Sequence, residues 1–146
     1  MNPSFDMSKA KSAILVVDDH PTNLKLITEL LRFEGYQVYG AVDAESALSV
    51  LTQMTPELIL MDVALPGMDG LSLTRMLKTE VLHVPVFIVA LTAFAMKGDA
   101  QKALDAGCDA YISKPIDTRR IPAQVAGFIE EVRRRRQWKN ERAATG

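Results

Sequence analysis

Ala13-Ile-Leu-Val-Val-Asp-Asp19 decides how this chain is read. An unbroken apolar run rich in β-branched residues meets two acids at once. A short continuous apolar run reads as a strand covered on both faces, the habit of parallel sheets. The acids then fall at the carboxyl end of that strand.

Outward from this run, strands and helical patterns alternate. Pro21 to Phe33 carries Leu24, Ile27, Leu30 and Leu31 at helical spacing and stops at Gly35. Gln37 to Val42 reads as a second strand. Asp43 can cap a second helix with Ala47, Leu48 and Leu51 on one face. Leu58-Ile-Leu-Met61 is a third strand, and 62–70, with Pro66 and two glycines, is a loop. Leu71 to Glu80 reads as a helix. Val84 to Leu91 is a fourth strand, with Pro85 near its start, where a missing N–H is tolerated. Lys97 to Ala106 is a helix closed by Gly107, and Ala110 to Ser113 is a short fifth strand. Asp117 can cap a last helix with Ile121, Val125, Phe128 and Val132 on one face. This alternation predicts an α/β fold, a doubly wound five-stranded parallel sheet with right-handed crossovers. One domain is expected over 12–136, between a tail at 1–11 and a tail at 137–146 that is frayed from Asn140 to Gly146.

Composition bounds the function. The chain has 146 residues, 48% of them hydrophobic, enough for one domain to bury a core without disulfides or metal staples. A formal net charge of −1 gives no bulk attraction to nucleic acid. The lone Cys108 cannot form an internal disulfide and fits a reducing compartment. Ala13–Val17 is too short for a signal-peptide core or a membrane span, so a soluble, cytoplasmic protein is expected. Cys108 reads as a structural filler, and Met61, Met68, Met76 and Met96 as packing residues.

An open doubly wound sheet binds its ligand outside the carboxyl ends of its strands. Those ends carry Asp18-Asp19, Asp62, Leu91-Thr92-Ala93 and Ser113-Lys114-Pro115, although the strand interiors are nearly all apolar. Three converging carboxylates repel one another, so some protonate or a cation neutralises them. Oxygen donors alone, without His or Cys, suit a hard ion, and Mg²⁺ is the natural one beside phosphate. The histidines are His20 and His83; His20 reads as a helix start rather than a metal ligand, and the absence of CxxC and HExxH argues against zinc. Lys114 supplies a cation and Thr92 a hydroxyl. A metal, a lysine and a hydroxyl around one carboxylate are the parts that stabilise a transferring phosphoryl group. Asp62 is the nucleophile candidate, which leaves Asp18 and Asp19 for the metal.

Val16-Val-Asp-Asp19, Leu60-Met-Asp-Val-Ala-Leu-Pro-Gly-Met-Asp-Gly70, Leu91-Thr-Ala93 and Tyr111-Ile-Ser-Lys-Pro115, taken together, resemble the response-regulator receiver domain of two-component signalling over about Ser12 to Glu131. The stretches Thr92 to Asp99 and Gly107 to Pro115 look more particularly like stand-alone receivers of the bacterial cell-division regulator type, and are similar to receivers of hybrid histidine kinases. The resemblance implies a CheY-like, flavodoxin-like (βα)5 fold with strand order 2-1-3-4-5. It implies that Asp62 accepts the phosphoryl group from a histidine kinase or phosphotransfer protein. It implies direct Mg²⁺ ligation by Asp19, Asp62 and the backbone carbonyl of Ala64, with Asp18 acting through water. Lys114 would pair with phosphoryl oxygens, and its bond to Pro115 would be cis. Thr92 and Tyr111 would act as switch residues that remodel the face of the fourth helix, fifth strand and fifth helix, where partners, among them a downstream protein effector, usually bind.

Ala64 and Phe94 each lie two residues past a site residue and are apolar. They either fail to orient an attacking water, prolonging the phosphoryl group, or are merely tolerated. Arg133-Arg-Arg-Arg136 reads first as a solvated helix end, with an acidic partner or weak nucleic-acid contact as alternatives; Trp138 alone is too little to claim base stacking.

Two competing classes of function remain, an enzyme of either of two kinds and a constitutive interaction domain. A phosphatase of the haloacid dehalogenase type needs a second Asp two residues after its nucleophile, and Ala64 stands there. A nucleotide-binding enzyme wants a glycine-rich turn after the first strand, and Asp18-Asp-His-Pro-Thr-Asn23 has none. The chain is therefore expected to catalyse only its own phosphorylation and slow dephosphorylation. The other competitor is the same fold used as a constitutive protein-interaction domain.

Overall fold

A computed structural model describes residues 12–82, 86–93 and 97–145. Five parallel strands form one sheet in the order β2-β1-β3-β4-β5: β1 (Ala13–Val17), β2 (Gln37–Ala41), β3 (Leu58–Asp62), β4 (Phe87–Thr92) and β5 (Ala110–Ser113). The expected fold and strand order are both present. Order reverses between β1 and β3, which places the switch point at the carboxyl ends of these two strands.

Alternation within the strands builds two cores. Ile14 and Val16 of β1, with Leu58 and Leu60 of β3, face α1 (Pro21–Phe33) and α5 (Ile121–Thr145). Leu15, Val17, Ile59 and Met61 face the opposite layer, α2 (Ala44–Leu51), α3 (Gly70–Met76) and α4 (Lys97–Asp105). Strand β3 is buried along its whole length, whereas the edge strand β2 is exposed at Gln37, Tyr39 and Gly40. Each fully buried aliphatic side chain contributes roughly 1.5–3 kcal/mol. The central strands are thus held in place from both sides, and their ends are fixed points for the site.

Local signals set the helix ends. Asp43 caps α2 by accepting the Ser46 N–H at 2.7 Å, while the Ser46 hydroxyl accepts the Asp43 N–H. Gly35 and Gly107 follow α1 and α4 with φ of 103° and 106°, a conformation that favours glycine.

Several boundaries differ from the sequence expectation. Strand β2 stops at Ala41. Strand β4 begins at Phe87; Val84 and Pro85, like His83, Phe94, Met96 and 1–11, lie outside the described residues. After Met76 the helix continues as a π-type turn, Leu77–Val81, where the Leu82 N–H reaches the Leu77 carbonyl at 2.9 Å. From that turn Lys78 leaves the helix to bond the Val86 carbonyl and Asp109. Asp117 does not directly cap α5. Its carboxylate accepts the Arg119 N–H in a preceding turn, and the helix starts at Ile121, with Pro122 in the first turn, where a missing N–H is no loss. Helix α5 also runs through the expected tail to Thr145. The pairs Glu131–Arg135 and Gln137–Glu141, one helical turn apart, favour that continuation.

Candidate functional site

The switch point gathers the acids. Asp18 and Asp62 are almost fully buried, and Asp19 is one-third exposed. The Asp18 Oδ1 accepts the His20 N–H at 2.9 Å. The Asp62 Oδ1 accepts the Ala64 N–H at 3.0 Å and lies 3.1 Å from the Lys114 ammonium. Asp18 Oδ2, Asp19 Oδ1 and Asp62 Oδ2 are buried without a hydrogen-bond partner. Burial raises the Asp18 carboxyl above its ordinary range, and Asp62 and Asp19 raise it further; the His20 N–H and Lys114 pull the other way.

Unpartnered buried carboxylate oxygens are costly, and a bound cation relieves that cost. One ligand atom from each of Asp18, Asp19, His20 and Asp62 lies within 4.8 Å of the others. The residues therefore fit a metal ion. His20 is at the start of α1, as expected, yet its Nδ1 lies 3.4 Å from Asp19 Oδ1, so the ring also stands at the edge of the acid group.

Asp62 opens onto a cavity of about 280 Å³ that Val63, Ala64, Thr92, Ala93 and Lys114 also line. Thr92 is buried at the end of β4, and its carbonyl accepts the Lys114 N–H at 2.7 Å, so β4 and β5 bring hydroxyl and lysine to one place. The Lys114–Pro115 peptide is cis. Tyr111 stands apart: it is 44% exposed on β5, in register with Ala90 rather than with Thr92. Cys108 is buried, its thiol pushed up by burial and near the Thr74 hydroxyl, in keeping with a filler.

The sequence reading missed two features. Gly70 falls in the stretch expected as a loop, yet it opens α3 and its φ is not positive. A Cβ there would overlap the backbone carbonyl of Asp62, so glycine lets the start of α3 pass behind the acid. Asp99 and Lys102 of α4 line the cavity with Asp62. The resemblance gives neither a role, although Asp99 ends one of its stretches, because their place at the cavity depends on how α4 packs.

Fold and site together define a CheY-like domain of the flavodoxin type, with its acid cluster at the switch point. Residues 14–126 match the response regulator receiver domain, and the chain belongs to that family. A polar-differentiation response regulator, DivK, of Brucella anthropi is 39% identical over 119 residues, covering 80% of this chain and 95% of that protein. DivK of Brucella melitensis matches equally, at 39% over 119 residues. This agrees with the resemblance to cell-division receivers. Among solved structures, a CheY-like receiver domain protein of Methanospirillum hungatei has a TM-score of 0.76 at 31% identity, covering 85% of this chain and 98% of that one. NtrX of Brucella abortus has a TM-score of 0.82 at 28% identity, covering 90% of this chain but 30% of that one.

Proposed function

We propose that this receiver takes up a phosphoryl group on Asp62, from a phosphohistidine of a histidine kinase or phosphotransfer protein, in a two-component phosphorelay. The observation that carries the reading is the Asp62 carboxylate itself. It is buried, one oxygen is held by Lys114 and the Ala64 N–H, and the other has no partner. A carboxylate held in one orientation with an uncommitted oxygen is suited to nucleophilic attack.

Asp19, Asp62 and the Ala64 carbonyl would hold Mg²⁺ directly, with Asp18 acting through water. When bound, Mg²⁺ neutralises charge on the phosphoryl oxygens. The Lys114 ammonium, already beside Asp62, pairs with the incoming oxygens, and the Thr92 hydroxyl donates to them. Movement of Thr92 toward the phosphoryl group, with a rotamer change at Tyr111, would remodel the α4-β5-α5 face for a downstream protein effector. The methyl of Ala64 offers nothing to orient a water, which supports a long-lived phosphoryl group and no turnover of other substrates. The setting is cytoplasmic, without nucleic-acid binding by this domain; no helix among the described residues is long and apolar enough to cross a membrane.

The test is intact mass after incubation with Mg²⁺ and a small phosphodonor. The expected result is a gain of one phosphoryl group, absent in Asp62→Ala. No gain in the unmodified protein would favour a constitutive interaction domain, and continuous turnover of phosphate esters would favour an enzyme. A phosphoryl half-life of seconds would overturn the long-lived reading.

A further inference from the structure

The cavity at the acid cluster reaches beyond the residues the resemblance names. Lys102 and Asp99, one turn apart on α4, form part of its wall. Ala103 and Ala106 are buried in the core, which fixes how α4 is turned and leaves Lys102 exposed on its flank. Two other lysines whose side chains are described are committed. Lys114 pairs with Asp62, and Lys78 bonds Val86 and Asp109. The Lys102 ammonium has no ion-pair or hydrogen-bond partner among the described residues.

Charge around the cavity makes this position matter. Among the described residues its charged lining is two acids, Asp62 and Asp99, and two lysines, Lys102 and Lys114. Removing Lys102 leaves that lining net negative, with Asp18 and Asp19 adding to it from the next strand. A phosphodonor is itself an anion. An uncommitted ammonium on a flexible stem raises the local concentration of anions, an effect that salt screens.

We infer that Lys102 is a donor-recruiting residue: it draws phosphodonor anions into the cavity toward Asp62 and does not hold the phosphoryl group that is transferred. This rests on the reading of Asp62 as the phosphoryl acceptor. With acetyl phosphate as donor, the bond from phosphorus to the bridging oxygen breaks. Acetate leaves with the electron pair, and a new P–O bond forms to an Asp62 oxygen; charge balances without a proton.

The experiment measures the second-order rate of mass gain with acetyl phosphate at saturating Mg²⁺, in low and high salt, for the full chain and three variants. Lys102→Met is expected to slow the reaction about three- to tenfold in low salt, and less than about twofold in 0.5 M salt. Lys102→Arg should react like the unmodified protein. Arg75→Met removes the same charge from an exposed position on α3 that does not line the cavity, and should change the rate less than about twofold. A Lys102→Met rate equal to that of Arg75→Met would overturn the inference. So would a loss that salt does not alter, which would make Lys102 a direct phosphoryl ligand or a structural residue. If the unmodified protein gains no mass, the phosphoryl-acceptor reading fails first and takes this one with it.

Discussion

Two aspartate sites at opposite edges of one sheet treat the same group in opposite ways. Asp109, just before β5 at the amino edge, has both oxygens satisfied. Its Oδ2 accepts from Lys78 and from the Ile88 N–H, each at 2.9 Å, and its Oδ1 accepts from Arg135 at 2.9 Å. The Arg135 guanidinium also lies 4.8 Å from the Phe87 ring centre, and Phe87 stacks on Phe128. At the carboxyl edge, Asp18, Asp19 and Asp62 each keep a buried oxygen without a hydrogen-bond partner. The amino-edge acid ties β4, β5, the π-type turn after α3, and α5 together. The carboxyl-edge acids hold unspent binding capacity in a stable frame. Saturated polar groups serve the fold; unsaturated ones, kept in place by that fold, are available for a ligand.

The contrast can be broken most strongly at Asp109. Asp109→Ala leaves the Ile88 N–H without its side-chain acceptor and Lys78 with the Val86 carbonyl but no counter-charge, and should lower stability by about 2–3 kcal/mol in denaturant unfolding. Acceptance of a phosphoryl group by the protein that remains folded should persist. A smaller effect is expected from Gly70→Ala, which forces the start of α3 off the Asp62 carbonyl at a cost of about 1–3 kcal/mol. Unlike the Asp109 change, it should also slow phosphorylation, because it moves the loop that orients Asp62. Mass-gain kinetics beside a melt separate the two.

The acidic edge should respond with the opposite sign. Asp18→Asn keeps an acceptor for the His20 N–H and removes a buried charge. The metal-free protein should therefore melt higher, by about 2–4 °C in the presence of a chelator, while its stabilisation by Mg²⁺ shrinks. The smallest effect is on the pH profile. The Asp18 pKa is raised on folding, so the folded state binds the proton more tightly than the unfolded state. Its contribution is full below the ordinary carboxylate pKa and is lost as pH rises through the raised value. Metal-free protein should lose stability over that interval, and Asp18→Asn should flatten the loss. A parallel profile in the two proteins would count against this account.

Much of this was legible in the chain. Continuous apolar runs at Ala13–Val17 and Leu58–Met61, short and bounded by polar or turn residues, read as strands buried on both faces, and β3 is buried throughout. The cap at Asp43 and the stop at Gly107 are local chemistry, so they too could be read. The start of α5 at Ile121 and its run to Thr145 could not, because a turn around Asp117 and pairs along the helix outweighed the nearest capping residue.

The sequence by itself determined the order of strands and helices and the delivery of Asp18, Asp19, Asp62, Thr92 and Lys114 to strand ends, since periodicity and turn residues act over a few positions. Tertiary structure alone decided which acids are spent and which are free. Asp109 meets Lys78 from 31 positions away and Arg135 from 26, and Lys102 lines the cavity of Asp62 only because α4 packs beside it. Hydrogen-bond satisfaction is a property of what lies near in space, and adjacency along the chain does not encode it.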